Sequence, residues 1–203
     1  MIMTLLQVMV RRIAVNPALF RIIRNIINFG NLQTVIVQAI DVAETDEVID
    51  VGCGIGDLCT IVGGKYYGVD VDPNYIRYAK KRYGSDKRIF EVLDIKHLHE
   101  LDAKRFDKAF YIGMLHHFSD LENFQILQDI SRITKEQIII FDLVPSSNPI
   151  KRFLCSLDRG EYLRPIEKQR ELIEKVLAVK HLSTFDTRSK SATLAVSVCT
   201  PRT

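Results

Sequence analysis

The chain of 203 residues has no tryptophan, four cysteines, and no run approaching the ~18–20 apolar residues of a membrane span. Cys53, Cys59, Cys155 and Cys199 form no C-x-x-C pair and no metal-ligand cluster with histidine, so neither a disulfide framework nor a zinc site is expected. His97 and His99 lie in a polar turn without a nearby cysteine, and no metal is expected there. A reducing, cytoplasmic setting is the simplest reading. Neither sign of charge is in excess: 28 Lys and Arg stand against 25 Asp and Glu, a net +3 too small to argue for a nucleic-acid partner. Internal repeats, low-complexity tracts and linkers are also missing, so residues 1–203 are expected to form a single domain.

What is present begins with an apolar, basic N-terminal stretch. Arg11, Arg12, Arg21 and Arg24 interrupt it and Pro17 breaks it, and its charges follow rather than precede the apolar segment, the reverse of a secretory signal. Leu19, Ile22, Ile23, Ile26 and Ile27 recur at helical spacing. Residues 1–44 are therefore read as helices packed on the domain or over its cleft. Peripheral membrane contact through residues 1–28 is the alternative.

From residue 47 onward, apolar runs alternate with amphipathic stretches, the pattern of a mostly parallel sheet covered on both faces. Strands are expected at 47–52, 66–71, 88–93, 107–112 and 137–144, with helices at 73–83 and 119–133 and short turns at 56–64 and 96–102. Pro145 to Pro149 form a loop, a helical stretch runs to about Val176, and strands at 179–186 and 192–199 are spaced to pair antiparallel at the sheet edge. Asp72 before Pro73 is a helix start, with Asp at the N-cap and Pro at the first helical position.

The segment at residues 48–58 carries the most functional information. A strand ends in Gly52, Gly54 and Gly56, which allow a sharp turn and close approach to a ligand. A dinucleotide loop of the G-x-G-x-x-G type would need a further glycine at position 57, where this chain has Asp57; a carboxylate there would repel a pyrophosphate. The loop suits a nucleoside ligand with a cationic centre and no phosphates, a description that S-adenosylmethionine fits. Asp70 lies eighteen residues past Gly52, near the offset at which an acidic residue meets ribose hydroxyls. Asp94 ends the third apolar run, where its carboxylate can accept from the exocyclic amine of adenine.

Taken in order, these segments resemble the class I, Rossmann-like, S-adenosylmethionine-dependent methyltransferases, from about residue 30 to the C-terminus. V-I-D-V-G-C-G-I-G resembles the first motif, G-V-D-V-D-P the acidic loop, V-L-D-I the adenine contact, F-D-K-A-F-Y-I-G-M-L-H-H-F the fourth motif of small-molecule members, and Q-I-I-I-F-D-L-V-P the fifth strand. The resemblance implies a three-layer αβα sandwich around a seven-stranded sheet whose last strand is antiparallel. It implies that Gly52, Cys53 and Gly54 line the methionine part of the cofactor, with Asp50 supporting the loop. It also implies that Asp70 and Val71 meet the ribose side, that Asp94 and Ile95 meet the adenine, and that Gly113 offers its carbonyl to the amino group. S-adenosylhomocysteine would be the product.

The acceptor side is less legible. The sulfonium already activates the methyl group, so a base is needed only if the acceptor must lose a proton. His117 and His116 are the candidates, His117 favoured by the resemblance; packing or capping near Asp120 is the other reading of the pair. Residues 145–178 are expected to form an acceptor-side insertion. Within it, Arg159 and Arg164 either bind a carboxylate or phosphate on a small-molecule acceptor or form ion pairs with Asp158 and Glu161. The fourth motif is not the Asn/Asp/Ser-Pro-Pro-aromatic sequence used on planar nitrogens, which argues against nucleobase and glutamine methylation. Methyl transfer to oxygen, carbon or nitrogen of a small molecule is the leading function. A non-catalytic cofactor-binding or scaffold protein of the same fold, and a peripheral enzyme acting on a lipid-linked acceptor, are the alternatives.

Overall fold

The structure, a computed structural model, describes residues 32–39, 42–149, 160–187 and 192–202. The helices expected within residues 1–28 lie outside the described residues, as does Arg159. The described elements run α1 (Leu32–Ala39), β1 (Glu47–Val51), a 3-10 turn (Asp57–Ile61), β2 (Lys65–Asp70), α2 (Pro73–Tyr83), β3 (Arg88–Val92) and a 3-10 turn (Ile95–Glu100). They continue with β4 (Phe106–Ile112), a 3-10 turn (Leu115–His117), α3 (Asp120–Ile133), β5 (Thr134–Val144), α4 (Ile166–Glu174), β6 (Leu177–Asp186) and β7 (Thr193–Pro201).

The seven strands form one sheet in the order β3-β2-β1-β4-β5-β7-β6. Pairings from β3 through β5 are parallel, and β7 runs antiparallel to both β5 and β6. This is the expected doubly wound sheet with its edge hairpin. β7 inserts between β5 and β6, so β6 forms the outer edge. Chain order reverses between β1 and β4, and the crevice above their carboxyl ends is where such sheets take ligands.

Alternation along the strands divides the core into two layers. In β1, Ile49 and Val51 face one cluster with Ile126, Leu127, Ile130 and Ile133 of α3 and Leu172 and Ile173 of α4. Val48 faces the other with Ile36 of α1, Cys59, and Ile76 and Ala79 of α2. The four α3 side chains are at most 2% exposed. Each stabilises the fold by about 1.5–3 kcal/mol relative to an exposed position. A charge at Ile130 would break that layer.

Helix starts follow the local sequence. Asp72 caps α2 by accepting from Asn74 N at 2.8 Å, with Pro73 at the first helical position. At α3, Ser119 and Glu122 form a reciprocal capping box, Glu122 N donating to Ser119 Oγ and Ser119 N to Glu122 Oε2. β5 starts three residues earlier than the expected 137. Thr134 Oγ1 donates back to Ile130 O at 2.7 Å, so α3 passes into β5 without a loop. The exposed Lys135 and Glu136 hide that strand start from a reading based on apolar runs.

Candidate active site

Two loops meet at the reversal of strand order, one after β1 and one after β4. In the first, Gly52 N and Cys53 N both donate to Val69 O, each at 2.9 Å, folding the glycine loop over the end of β2. Gly54 N then donates to Asp70 Oδ2 at 2.8 Å, while Asp72 N donates to Asp70 Oδ1 at 2.9 Å. Asp70 thus joins the glycine loop to the start of α2. Each carboxylate oxygen has a second lone-pair direction with which to accept a hydroxyl. Burial pushes the Asp70 carboxyl up from its ordinary value, and the backbone donors from Asp72 and Gly54 oppose that rise.

Beneath the loop, Asp50 is buried and accepts from Tyr66 OH at 2.5 Å. Burial, and then the Asp50 charge, push the Tyr66 phenol well above its ordinary value. The Cys53 thiol is likewise pushed up, by burial first and then by Asp50 and Asp70, which keeps it protonated.

Gly54 and Gly113 are the positions that shape the crevice. Both have left-handed backbones, with φ of +54° and +67°, and a Cβ built on either would meet nothing within 4 Å. Gly113 N donates to Phe141 O at 2.7 Å, fixing the loop after β4 against β5. Two glycines at neighbouring strand ends therefore leave room that side chains would fill. Of the nearby apolar groups, Val71 is 63% exposed at the end of β2 and Ile95 is buried at the start of its 3-10 turn. Asp94 is exposed and caps that turn, its Oδ1 accepting from Lys96 N at 3.0 Å.

Asp57 calls for a correction. Its carboxylate is turned toward the end of α2, accepting from Tyr83 OH at 2.6 Å. What disfavours a pyrophosphate is the element itself, a five-residue 3-10 turn with little dipole to offer, and the commitment of Gly54 N to Asp70. Met114 is a site residue that the sequence reading missed. Its Sδ lies over Gly52, where an added Cβ would fall 2.5 Å away. Its place directly after Gly113 was the available signal.

The paired histidines separate. His116 is 2% exposed, its Nδ1 hydrogen-bonded to Asp142 Oδ1 at the end of β5. Gly160 packs onto the ring so closely that a Cβ there would lie 1.8 Å from His116 Cδ2. So little of the imidazole is exposed that packing, the other reading of the pair, is the role its surroundings support for His116, against its reading as general base. His117 is exposed, its ring 4.3 Å from that of His116. Asp142, a lone carboxylate inside I-I-I-F-D-L-V, was legible as an anomaly in an apolar run but was not read as a partner.

Arg164 is corrected as well. It is 9% exposed and fully engaged: Nε with Asp120 at 2.7 Å, Nη1 with Leu115 O and Tyr162 O at 2.8 Å, and Nη2 with Phe118 O at 2.8 Å and Asp120 at 2.7 Å. A guanidinium has five N–H donors, and these partners occupy them. The buried Asn123 serves the same loop, its Nδ2 donating to Leu115 O and Phe118 O at 2.9 Å while Tyr111 OH donates to its Oδ1 at 3.0 Å. Tyr162 N donates to His116 O at 3.0 Å, and Gln169 Nε2 to Leu143 O and Arg164 O. Residues 160–165 are thereby tied to the loop after β4.

Comparison with known proteins agrees with this geometry. The family described as "Methyltransferase domain" matches residues 49–141, from β1 into β5. Methyltransferase GfsG of Streptomyces halstedii is 26% identical over 154 residues, covering 68% of this chain and 54% of that protein. Phosphoethanolamine N-methyltransferase of Plasmodium falciparum is 33% identical over 106 residues, covering 49% of this chain and 39% of that protein. The chain therefore spans about half or less of the length of these relatives. Among solved structures, the PH0226 protein of Pyrococcus horikoshii superposes with a TM-score of 0.67 at 18% identity, covering 85% of this chain and 88% of the other. With its seven-stranded sheet, its glycine loop at the strand reversal and the matched segment 49–141, the chain has the fold of the class I, Rossmann-like, S-adenosylmethionine-dependent methyltransferases and carries a segment similar to their methyltransferase domain.

Proposed function

We propose that this chain is a methyltransferase that carries a methyl group from S-adenosylmethionine to a small-molecule acceptor. The observation that carries the reading is the pair of left-handed glycines, Gly54 and Gly113, facing open space at the ends of β1 and β4 with Asp70 alongside. When bound, the cofactor supplies a methyl group already activated by a sulfonium.

The residues of the chain then have separate tasks. Asp70 accepts the ribose hydroxyls, with Val71 as the apolar neighbour at that strand end. Asp94 accepts from the adenine amine with the oxygen its cap leaves over, and the Ile95 amide falls on a first turn where no intrahelical acceptor exists. Gly52, Cys53, Gly54 and Met114 line the methionine end. Asp50 holds the loop from below through Tyr66, and the Gly113 carbonyl meets the amino group. His117 takes the acceptor proton where one must leave, imidazole being the side chain that exchanges protons near neutral pH.

For the acceptor, we keep Arg159 as the candidate contact to a carboxylate or phosphate. The name of the Plasmodium relative, whose acceptor carries a phosphate, is in keeping with that choice. We further read the chain as one domain with residues 145–178 on the acceptor side. Among the described residues no helix is long and apolar enough to cross a membrane, and Cys53, Cys59 and Cys199 are free thiols. A reducing, cytoplasmic setting suits both.

Calorimetric titration with S-adenosylhomocysteine tests the donor side. Wild type binds one equivalent, and Asp70→Ala weakens binding by at least tenfold, the ~1.5–3 kcal/mol of hydrogen bonds to a charged group. Gly54→Val, which fills the crevice, abolishes it. No binding by folded wild type, or unchanged affinity in both variants, would remove the proposal. Release of S-adenosylhomocysteine in the presence of amine, carboxylate or phosphate-bearing acceptors then reads turnover.

A further inference from the structure

The 3-10 turn after β3 places His97, His99 and Glu100 on the protein surface, with one donor atom of each within 4.8 Å of the others. We infer that this turn is a binding site for a divalent transition-metal ion of the zinc or nickel type. That reverses the expectation that the two histidines are only polar turn residues.

The chemistry of the donor set is the first support. Two imidazoles and a carboxylate suit borderline cations such as Zn²⁺ and Ni²⁺ rather than Mg²⁺ or Ca²⁺, which prefer oxygen alone. Water would complete the coordination at an exposed position.

Geometry is the second. His97 Nδ1 and Glu100 Oε1 are 2.9 Å apart. Two ligands bound at about 2.0–2.1 Å stand roughly 2.9–3.4 Å apart across an octahedral or tetrahedral edge. That contact is a hydrogen bond, and it holds the two donor atoms at the spacing a shared ion in place of the proton would require. The His97 and His99 rings lie 5.7 Å apart between centroids, and the third donor atom is within 4.8 Å of the other two.

The third support is the shell behind the ligands. His99 Nδ1 lies 3.1 Å from Lys96 O. A proton on Nδ1 directed to that carbonyl leaves Nε2 as the lone-pair nitrogen, the arrangement that orients imidazole ligands in metal sites. Two cations beside the turn are engaged elsewhere: the Lys96 ammonium with Glu122 Oε1 at 2.9 Å, and the Arg132 guanidinium with Leu98 O at 3.0 Å and Leu101 O at 2.8 Å.

This inference stands independently of cofactor binding. Its test is calorimetric titration of the tag-free full chain with Zn²⁺ and with Ni²⁺, repeated with His97→Ala, His99→Ala and the double variant. The expected result is one ion per chain near neutral pH, with affinity at least tenfold weaker in each single variant. Thermal unfolding in chelator controls for folding, and these exposed substitutions should leave it unchanged. Full retention of binding in the double variant would place the ion on other groups and overturn the site. So would an absence of binding by wild type up to about millimolar metal, the weak end of protein metal affinities.

Discussion

Asp142, at the end of β5, accepts from or shares a proton with His116 Nδ1, and both side chains are at most 2% exposed. The contact ties the loop after β4, on which His116 rides, to the end of the neighbouring strand β5. It makes His116 a support for the loop that carries His117.

Loss of that contact has a readable cost. Asp142→Ala removes the acceptor from a buried imidazole nitrogen and should destabilise by about 1–3 kcal/mol. Asp142→Asn keeps an oxygen and should lose less. Thermal unfolding checks both, with roughly 2–4 °C expected per kcal/mol at this chain size. Equal melting of wild type and Asp142→Ala would show that the pair bears no load.

Asp70 gives cofactor affinity a pH dependence. Burial raises its carboxyl above the ordinary 3.8, so in the free protein it takes up a proton at a higher pH than an exposed aspartate does. Ribose hydroxyls bind the ionised form. Affinity for S-adenosylhomocysteine should therefore begin to fall, on acidification, at a pH above 3.8, and the fall should vanish in Asp70→Asn. The stability sign is the opposite: the folded chain holds this proton more tightly than the unfolded chain, so the destabilisation from burying the charge is relieved as pH drops through the raised value.

Arg164 should behave as a structural tie. Arg164→Ala takes a donor from each of Leu115 O and Phe118 O, to which Asn123 still donates, and should destabilise by about 1–3 kcal/mol. Arg164→Lys should not restore stability, because an ammonium lacks the planar fork that reaches four groups. Thermal unfolding reads both variants. A normal melting temperature with impaired acceptor binding would instead return Arg164 to the acceptor site.

Glu122 predicts an acid-labile contact. Its hydrogen bonds with Lys96 and then with Ser119 hold its carboxyl down at about 2, against an ordinary 4.5. A depressed carboxylate contributes its stability in full above 4.5 and loses it as pH falls toward 2. Glu122→Gln should flatten the fall in melting temperature across that window. An unchanged acid profile in the variant would show that the capping box and the Lys96 pair do not matter for acid stability.

Much of the scaffold was legible because its signals are local. The period-2 alternation, Asp72 before Pro73, and the Ser119–Glu122 box each act within a few residues, and α2 lies at the expected 73–83. The glycine loop was legible for the same reason. Met114 was not, since only the approach of the β4 loop to β1 puts a thioether over Gly52. Nor was the partner of Asp57, since Tyr83 lies twenty-six residues away.

The sequence by itself determined the order of strands and helices along the chain and the place of the glycine loop at a strand end. Backbone periodicity, capping and turn chemistry fix those features over short distances. Only the tertiary structure decided which polar side chains reach the crevice and which are used up inside. His116 and His117 are neighbours in the chain, yet one is locked to Asp142 and the other is exposed; Arg164 is spent on Asp120 and on the carbonyls of Leu115, Tyr162 and Phe118. A buried donor must find its acceptor wherever folding brings one, and a linear pattern does not encode that pairing.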